Sequence, residues 1–206
     1  MKIGFVSMPF VCHLNPMTTL ARRLQSRGHE VAFIGVPDVE PFARAAGLDF
    51  VPFCENEYPA GSIAKLLRPV SKLHGLEAAR WSVRERNVDL FNAASKHLPQ
   101  KLAETGIAAL VIDVIHTFLE LVPMGLGMPY VQVSTGLHID FSGATPPFFF
   151  SWPHETTPEA LTRISKELSR RAKFLRRWYE LQCLTPRNWV YRSIGAISAR
   201  LPPSWP

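Results

Sequence analysis

Long apolar runs, paired cysteines and glycine-rich loops are all scarce in this chain, and each scarcity removes a class of function. No uninterrupted apolar stretch approaches the roughly 18 residues of a membrane span. The N-terminus also lacks the cationic, apolar and small-residue series of a secretory signal, so a cytoplasmic protein is expected. The three cysteines, Cys12, Cys54 and Cys183, are odd in number and far apart, which predicts reduced thiols rather than a disulfide framework or a zinc site. The histidines show no His-x-x-x-His or Glu-flanked spacing, and no metal is expected. Met8 to Pro16, the first loop, contains no glycine. That argues against a dinucleotide-binding fingerprint and against a P-loop.

What the chain does have is apolar content. Its 206 residues are 47% hydrophobic, enough to bury the core of one large α/β domain or two small ones. Its net charge of +6 is concentrated: Glu159 to Trp178 holds Arg163, Lys166, Arg170, Arg171, Lys173, Arg176 and Arg177 against Glu159 and Glu167. A solvated helix face or a peripheral contact with an anionic membrane through Arg163 to Arg177 both fit this segment. No recognised nucleic-acid module accompanies the charge, and no nucleic-acid partner is expected.

Ile3-Gly4-Phe5-Val6-Ser7 reads as a buried strand. Asn15 as N-cap and Pro16 at the first helical position predict a helix that continues through Leu20, Ala21 and Leu24 and closes at Gly28. Val31 to Ile34 reads as a second strand, which completes a βαβ unit and implies a parallel sheet. Asp38 is predicted to cap a short helix ending at Gly47. Phe50 to Phe53 reads as a third strand, pushed towards an edge by Pro52. Tyr58 to Pro69 reads as a loop, and Leu76 to Leu98 as a long helix that Pro99 kinks. Ala108 to Ile112 and Tyr130 to Ser134 supply two more strands, with a helix between Thr117 and Gly127. Strands alternating with helices predict an α/β, doubly wound, Rossmann-like sheet. Gly136 to Pro158 is irregular and rich in aromatic residues and proline. Leu161, Ile164, Leu168, Leu175 and Tyr179 mark the apolar face of the basic helix that follows.

Two residues could carry chemistry together. His13 lies in the loop after the first strand, and Asp113 directly follows a strand, so a parallel sheet places both on one edge. An imidazole is a base near neutral pH, and a carboxylate on its other nitrogen fixes the tautomer. On spacing alone a loop histidine and a strand-end cap remain the alternative. Cys12 beside His13 is expected to be a small buried thiol rather than a nucleophile.

The opening from Gly4-Phe5-Val6-Ser7 through His13-Leu14-Asn15-Pro16-Met17 to Arg27-Gly28-His29-Glu30-Val31 resembles the N-terminal half of the family 1, GT-B-fold glycosyltransferases. So do Val111-Ile112-Asp113, Gly127-Met128-Pro129-Tyr130-Val131, and Pro146-Pro147 leading to Trp152-Pro153. Within the family the chain is most similar to the bacterial macrolide and zeaxanthin glucosyltransferase type.

The resemblance implies an inverting transfer of a hexose from a nucleotide sugar, UDP-glucose first among them, to a hydroxyl of an apolar carotenoid, terpenoid, polyketide or lipid. His13 would be the base and Asp113 its orienting partner, with no cofactor beyond the nucleotide sugar as co-substrate. Phe10, Leu14, His138, Phe148, Phe149 and Trp152 would bind the acceptor. The implied division is an acceptor-binding domain over 1–158, a basic helical segment over 159–198 packed on it, and the start of an interdomain linker over 199–206. The donor-binding domain would lie outside this sequence, which leaves the isolated chain weakly active or inactive. A non-catalytic binding or scaffold subunit, paired with a separate donor-binding chain or a membrane surface, is the competing expectation. Cys12 stands where the family usually has glycine, and a side chain there alters the loop.

Overall fold

In the computed structural model the described residues are 1–74, 77, 78, 81, 88–114, 116, 119–136 and 152–166. Five short segments form the sheet: β1 (Lys2–Val6), β2 (Glu30–Gly35), β3 (Asp49–Pro52), β4 (Ala109–Asp113) and β5 (Tyr130–Val133). They lie in the order β3-β2-β1-β4-β5, and every pairing is parallel. Strands buried on both faces need continuous apolar sequence, which is why β1, β2 and β4 read so clearly. Phe5 and Phe33 stack within this core at 6.2 Å between ring centroids. The expected edge position of the third strand is observed: β3 pairs only with β2, and Pro52 is its last residue.

Backbone meets side chain closely at the centre of the sheet. A Cβ on Gly4 would sit 2.8 Å from both Ile34 Cδ1 and Leu110 Cδ2. Gly4→Ala is therefore expected to destabilise the fold by about 1–3 kcal/mol, the usual cost of overpacking a core. Denaturant melts of the two chains check this, and an unchanged midpoint would show that those two side chains move aside freely.

The helices bounded among the described residues include α1 (Val11–Gln25), α2 (Glu40–Ala45), α3 (Ser62–Leu67), α4 (Val88–Thr105), α5 (Leu121–Leu126) and α6, the helical residues 158–166. Helix α1 begins four residues before the expected Asn15 cap. Phe10 is extended (φ −103°, ψ 123°), and its carbonyl accepts from the N–H groups of His13 and Leu14, each at 2.8 Å. Pro16 thus lies inside the helix. There it removes the one backbone bond to the Cys12 carbonyl, close enough to the N-terminus for the helix to tolerate the loss. The correction matters for the site: His13 is the third helical residue and not a loop residue.

Three other expectations change. The Tyr58 to Pro69 stretch contains α3, which fits between Gly61 in the left-handed region (φ 79°) and Pro69. The breakers there bound a helix. Asp38 caps α3, accepting from the N–H of Gly61 at 2.6 Å and of Ile63 at 3.1 Å, rather than the helix beside it in sequence. Helix α5 starts at Leu121, later than Thr117, and closes on Gly127 in the left-handed region (φ 64°). Pro99 lies inside α4, whose Leu90, Ala94, Leu98 and Leu102 are buried. In α6, Ala160 and Ile164 are buried one turn apart while Arg163 and Lys166 are exposed, as an amphipathic helix requires. The rest of the basic segment, with Arg170, Arg171, Lys173, Arg176 and Arg177, lies outside the described residues, as does 199–206.

Candidate functional site

In this strand order the chain runs outward from β1 through β2 to β3, then returns to β4 on the other side of β1. The direction of winding therefore reverses between β1 and β4. Open parallel sheets place their binding crevice at that point, beyond the carboxyl ends of the strands. Asp113 is the last residue of β4 and is 0% exposed. Ser7 follows β1 directly, and the register that pairs Val6 with Ile112 carries on to set Ser7 level with Asp113. Thr135 lies two residues past β5, whose Val133 pairs with Asp113. His13 approaches from the first turn of α1. Three adjacent strand ends and one helix N-terminus thus deliver four polar side chains to one spot.

Their hydrogen bonds converge on the Asp113 carboxylate. Asp113 Oδ2 accepts from Ser7 Oγ at 2.7 Å and bonds His13 Nδ1 at 2.9 Å, while Oδ1 accepts from Thr135 Oγ1 at 2.9 Å. Thr135 Oγ1 also contacts His13 Nδ1. A carboxylate can only accept, so Nδ1 carries the proton. Thr135 has given its single proton to Oδ1 and can offer only a lone pair to Nδ1, which agrees with the same tautomer. The free lone pair of the imidazole is then on Nε2. The His13 side chain is 16% exposed, so the ring is held from behind with one edge open. The pair that sequence spacing brought to one sheet edge is in direct contact. Ser7 and Thr135 were missed; the only sequence signal for Ser7 is its being the one polar side chain in the apolar run from Ile3 to Met8.

The other candidates separate. Phe10 is half-buried, its ring tilted against His13 at 5.9 Å between centroids. Leu14 is 0% exposed and packs into the hydrophobic core, so it supports the helix from inside and offers no surface to a ligand. Trp152 carries the Arg163 guanidinium 5.1 Å from its ring centroid. His138, Phe148 and Phe149 lie outside the described residues. Cys12 is exposed, contrary to the expected buried thiol, because the early start of α1 turns it outward. Cys54 is buried, and burial first, then the charges of Glu57 and Glu55, push its thiol up to about 12. It is no thiolate nucleophile near neutral pH. A small apolar cavity of about 10 Å³ borders Ser7, between Met8, Phe53, Tyr58, Ile63 and His116. Among the described residues no group of three or more His, Cys, Asp or Glu side chains is placed to hold a metal ion, and no helix is long and apolar enough to cross a membrane.

No protein-family model and no curated protein sequence matches the chain. Solved structures do. The glycosyltransferase SsfS6 of Streptomyces sp. SF2575 is 17% identical with a TM-score of 0.53, the match covering 82% of this chain and 44% of that one. The glycosyltransferase SnogD from Streptomyces nogalater is 22% identical with a TM-score of 0.51, over 82% of this chain and 40% of that one. The chain thus spans less than half the length of these two structures. The fold is α/β with a doubly wound, Rossmann-like parallel sheet, the architecture of one half of a GT-B glycosyltransferase.

Proposed function

We propose that this chain is the acceptor-binding half of an inverting glycosyltransferase. The observation that carries the reading is the His13–Asp113 pair, 2.9 Å apart, at the point where the sheet reverses its winding. His13 Nε2 takes the proton of an acceptor hydroxyl while that oxygen attacks the anomeric carbon of a nucleotide sugar. The bond from that carbon to the diphosphate breaks, the nucleoside diphosphate leaves with the electron pair, and the configuration inverts. Asp113 keeps the basic lone pair on Nε2 and balances the imidazolium that forms. Phe10 beside His13 suits an apolar acceptor of the carotenoid, terpenoid, polyketide or lipid kind. For the donor, SsfS6 has been crystallised with thymidine diphosphate. A nucleoside diphosphate hexose fits the same chemistry here, UDP-glucose being the first to test and a TDP-sugar the second.

The donor's diphosphate is expected to be held by a second domain of the GT-B kind, in the same polypeptide or in a partner chain. The isolated chain is then expected to bind acceptor and to transfer little sugar, since donor positioning and leaving-group stabilisation are both absent. Calorimetric titration of the chain with UDP-glucose, TDP-glucose and a panel of apolar alcohols tests the division of labour. Alcohol binding without nucleotide binding is expected. Nucleotide binding at micromolar strength with no alcohol binding would overturn it.

A further inference from the structure

Ser7 looks out of place until its partner is considered. It directly follows the central strand, is 2% exposed, and borders an apolar cavity. A buried hydroxyl costs free energy unless it is hydrogen-bonded. The Met8 carbonyl is 3.5 Å away, at the limit of a hydrogen bond, whereas Asp113 Oδ2 is 2.7 Å away, the short distance of a hydroxyl donating to a carboxylate. The proton of Ser7 therefore goes to Asp113, and to the same oxygen that meets His13.

That shared oxygen gives the bond its consequence. The backbone at Asp113 is fixed, by the sheet and by the His116 N–H donating to its carbonyl at 2.9 Å. The carboxylate can still turn, because the last torsion of an aspartate is broad and nearly two-fold. His13 alone would follow such a turn. Thr135 restrains Oδ1, but it stands beyond the edge strand β5, where Val131 is 59% exposed, and it touches His13 itself. Ser7, directly after β1, is a contact rooted in the centre of the sheet. Ser7 and His13 thus meet the same carboxylate oxygen, at 2.7 and 2.9 Å.

We infer that Ser7 is a positioning residue: by holding Asp113 Oδ2 it fixes the plane of the carboxylate and, through it, the tautomer and orientation of His13. It touches no substrate. The inference rests on the reading of His13 as the base, and its test observes His13 directly rather than sugar transfer. Nitrogen-15 and proton NMR of the histidine rings distinguish an Nδ1–H from an Nε2–H imidazole, and a carboxylate-bound Nδ1 proton gives a separate, far-downfield resonance. The parent chain is expected to show both signatures for His13. Ser7→Ala is expected to lose the downfield proton and to move both ring nitrogens towards values averaged over the two tautomers. The amide signals of α4 should stay in place and report an intact fold.

A Ser7→Ala chain that keeps the parent tautomer and the downfield proton would overturn the assignment and leave Ser7 a packing residue. If Ser7→Ala does not fold, Ser7→Cys asks the same question, because its thiol keeps a side chain in place but is a weak donor. A partial upfield movement of the proton is then expected, and no movement overturns the role. Failure here is separable from failure of the functional reading. A scrambled tautomer in Ser7→Ala, together with a whole enzyme that transfers no sugar, keeps Ser7 as the positioning residue and removes His13 as an acceptor base.

Discussion

His13→Ala lowers kcat for hexose transfer by about 10²–10⁴-fold, the range a positioned general base supplies, and leaves acceptor KM close to its original value. The assay is transfer from UDP-glucose to an apolar alcohol by the chain together with its donor-binding half, in one polypeptide or supplied as two. The size of the loss follows from the absence of a substitute at the dyad. Asp113 is 0% exposed and cannot reach an acceptor, and the Ser7 and Thr135 hydroxyls spend their protons on its two oxygens. His13→Gln separates the two tasks of the ring, since the amide can still bond Asp113 but takes no proton at neutral pH. Equal losses in the alanine and glutamine variants assign the effect to proton transfer. A fall of less than about tenfold in kcat for His13→Ala would remove His13 from the reaction.

The parts of this molecule that were legible in the sequence are those where one short-range pattern decides. Continuous apolar runs of strand length gave β1, β2 and β4, because a strand covered on both faces has no polar position to spare. A carboxylate at the end of one such run and a histidine after another then shared an edge by topology alone. The misread elements depend on partners distant in sequence. Asn15-Pro16 is a sound local start signal, yet the extended Phe10 after Pro9 sets the start of α1 earlier. Asp38 is a sound cap, yet its carboxylate serves backbone N–H groups 23 and 25 residues on. The α3 segment carries Pro59, Gly61 and Pro69, whose breaking tendency is real and operates at the boundaries. Ser7 and Thr135 become visible as site residues only once the register of β1, β4 and β5 is known, since two hydroxyl side chains among many have no distinguishing spacing. The hydrogen bonds that orient the dyad are therefore the part that needed coordinates.

Asp113 separates activity from stability, and two substitutions there are expected to rank in opposite orders. Asp113→Ala leaves the Ser7 hydroxyl, the Thr135 hydroxyl and the His13 Nδ1–H around a gap that was 0% exposed. Unpaired buried donors cost about 1–3 kcal/mol each. Both hydroxyls can rotate away, so a total near 2 kcal/mol is expected, a fall in Tm of roughly 5 °C for a chain of this size. Asp113→Asn keeps the shape and refills the gap, so its Tm should stay close to that of the parent. Its effect on the base is the more severe one. If the amide N–H₂ occupies the place of Oδ2 it donates to His13 Nδ1, which forces the proton onto Nε2 and turns the basic edge of the ring into a donor. The carboxylate charge is lost as well, so an imidazolium forming at the N-terminus of α1 faces the positive end of the helix dipole uncompensated. Transfer by Asp113→Asn is expected to fall by about 10³-fold or more, at least as far as in Asp113→Ala, where the ring still samples both tautomers. Thermal melts and initial rates on the same two preparations check the crossing. An asparagine variant that stays within about tenfold of the parent rate would show that His13 works without its carboxylate, and that the hydrogen bonds behind it serve the fold alone.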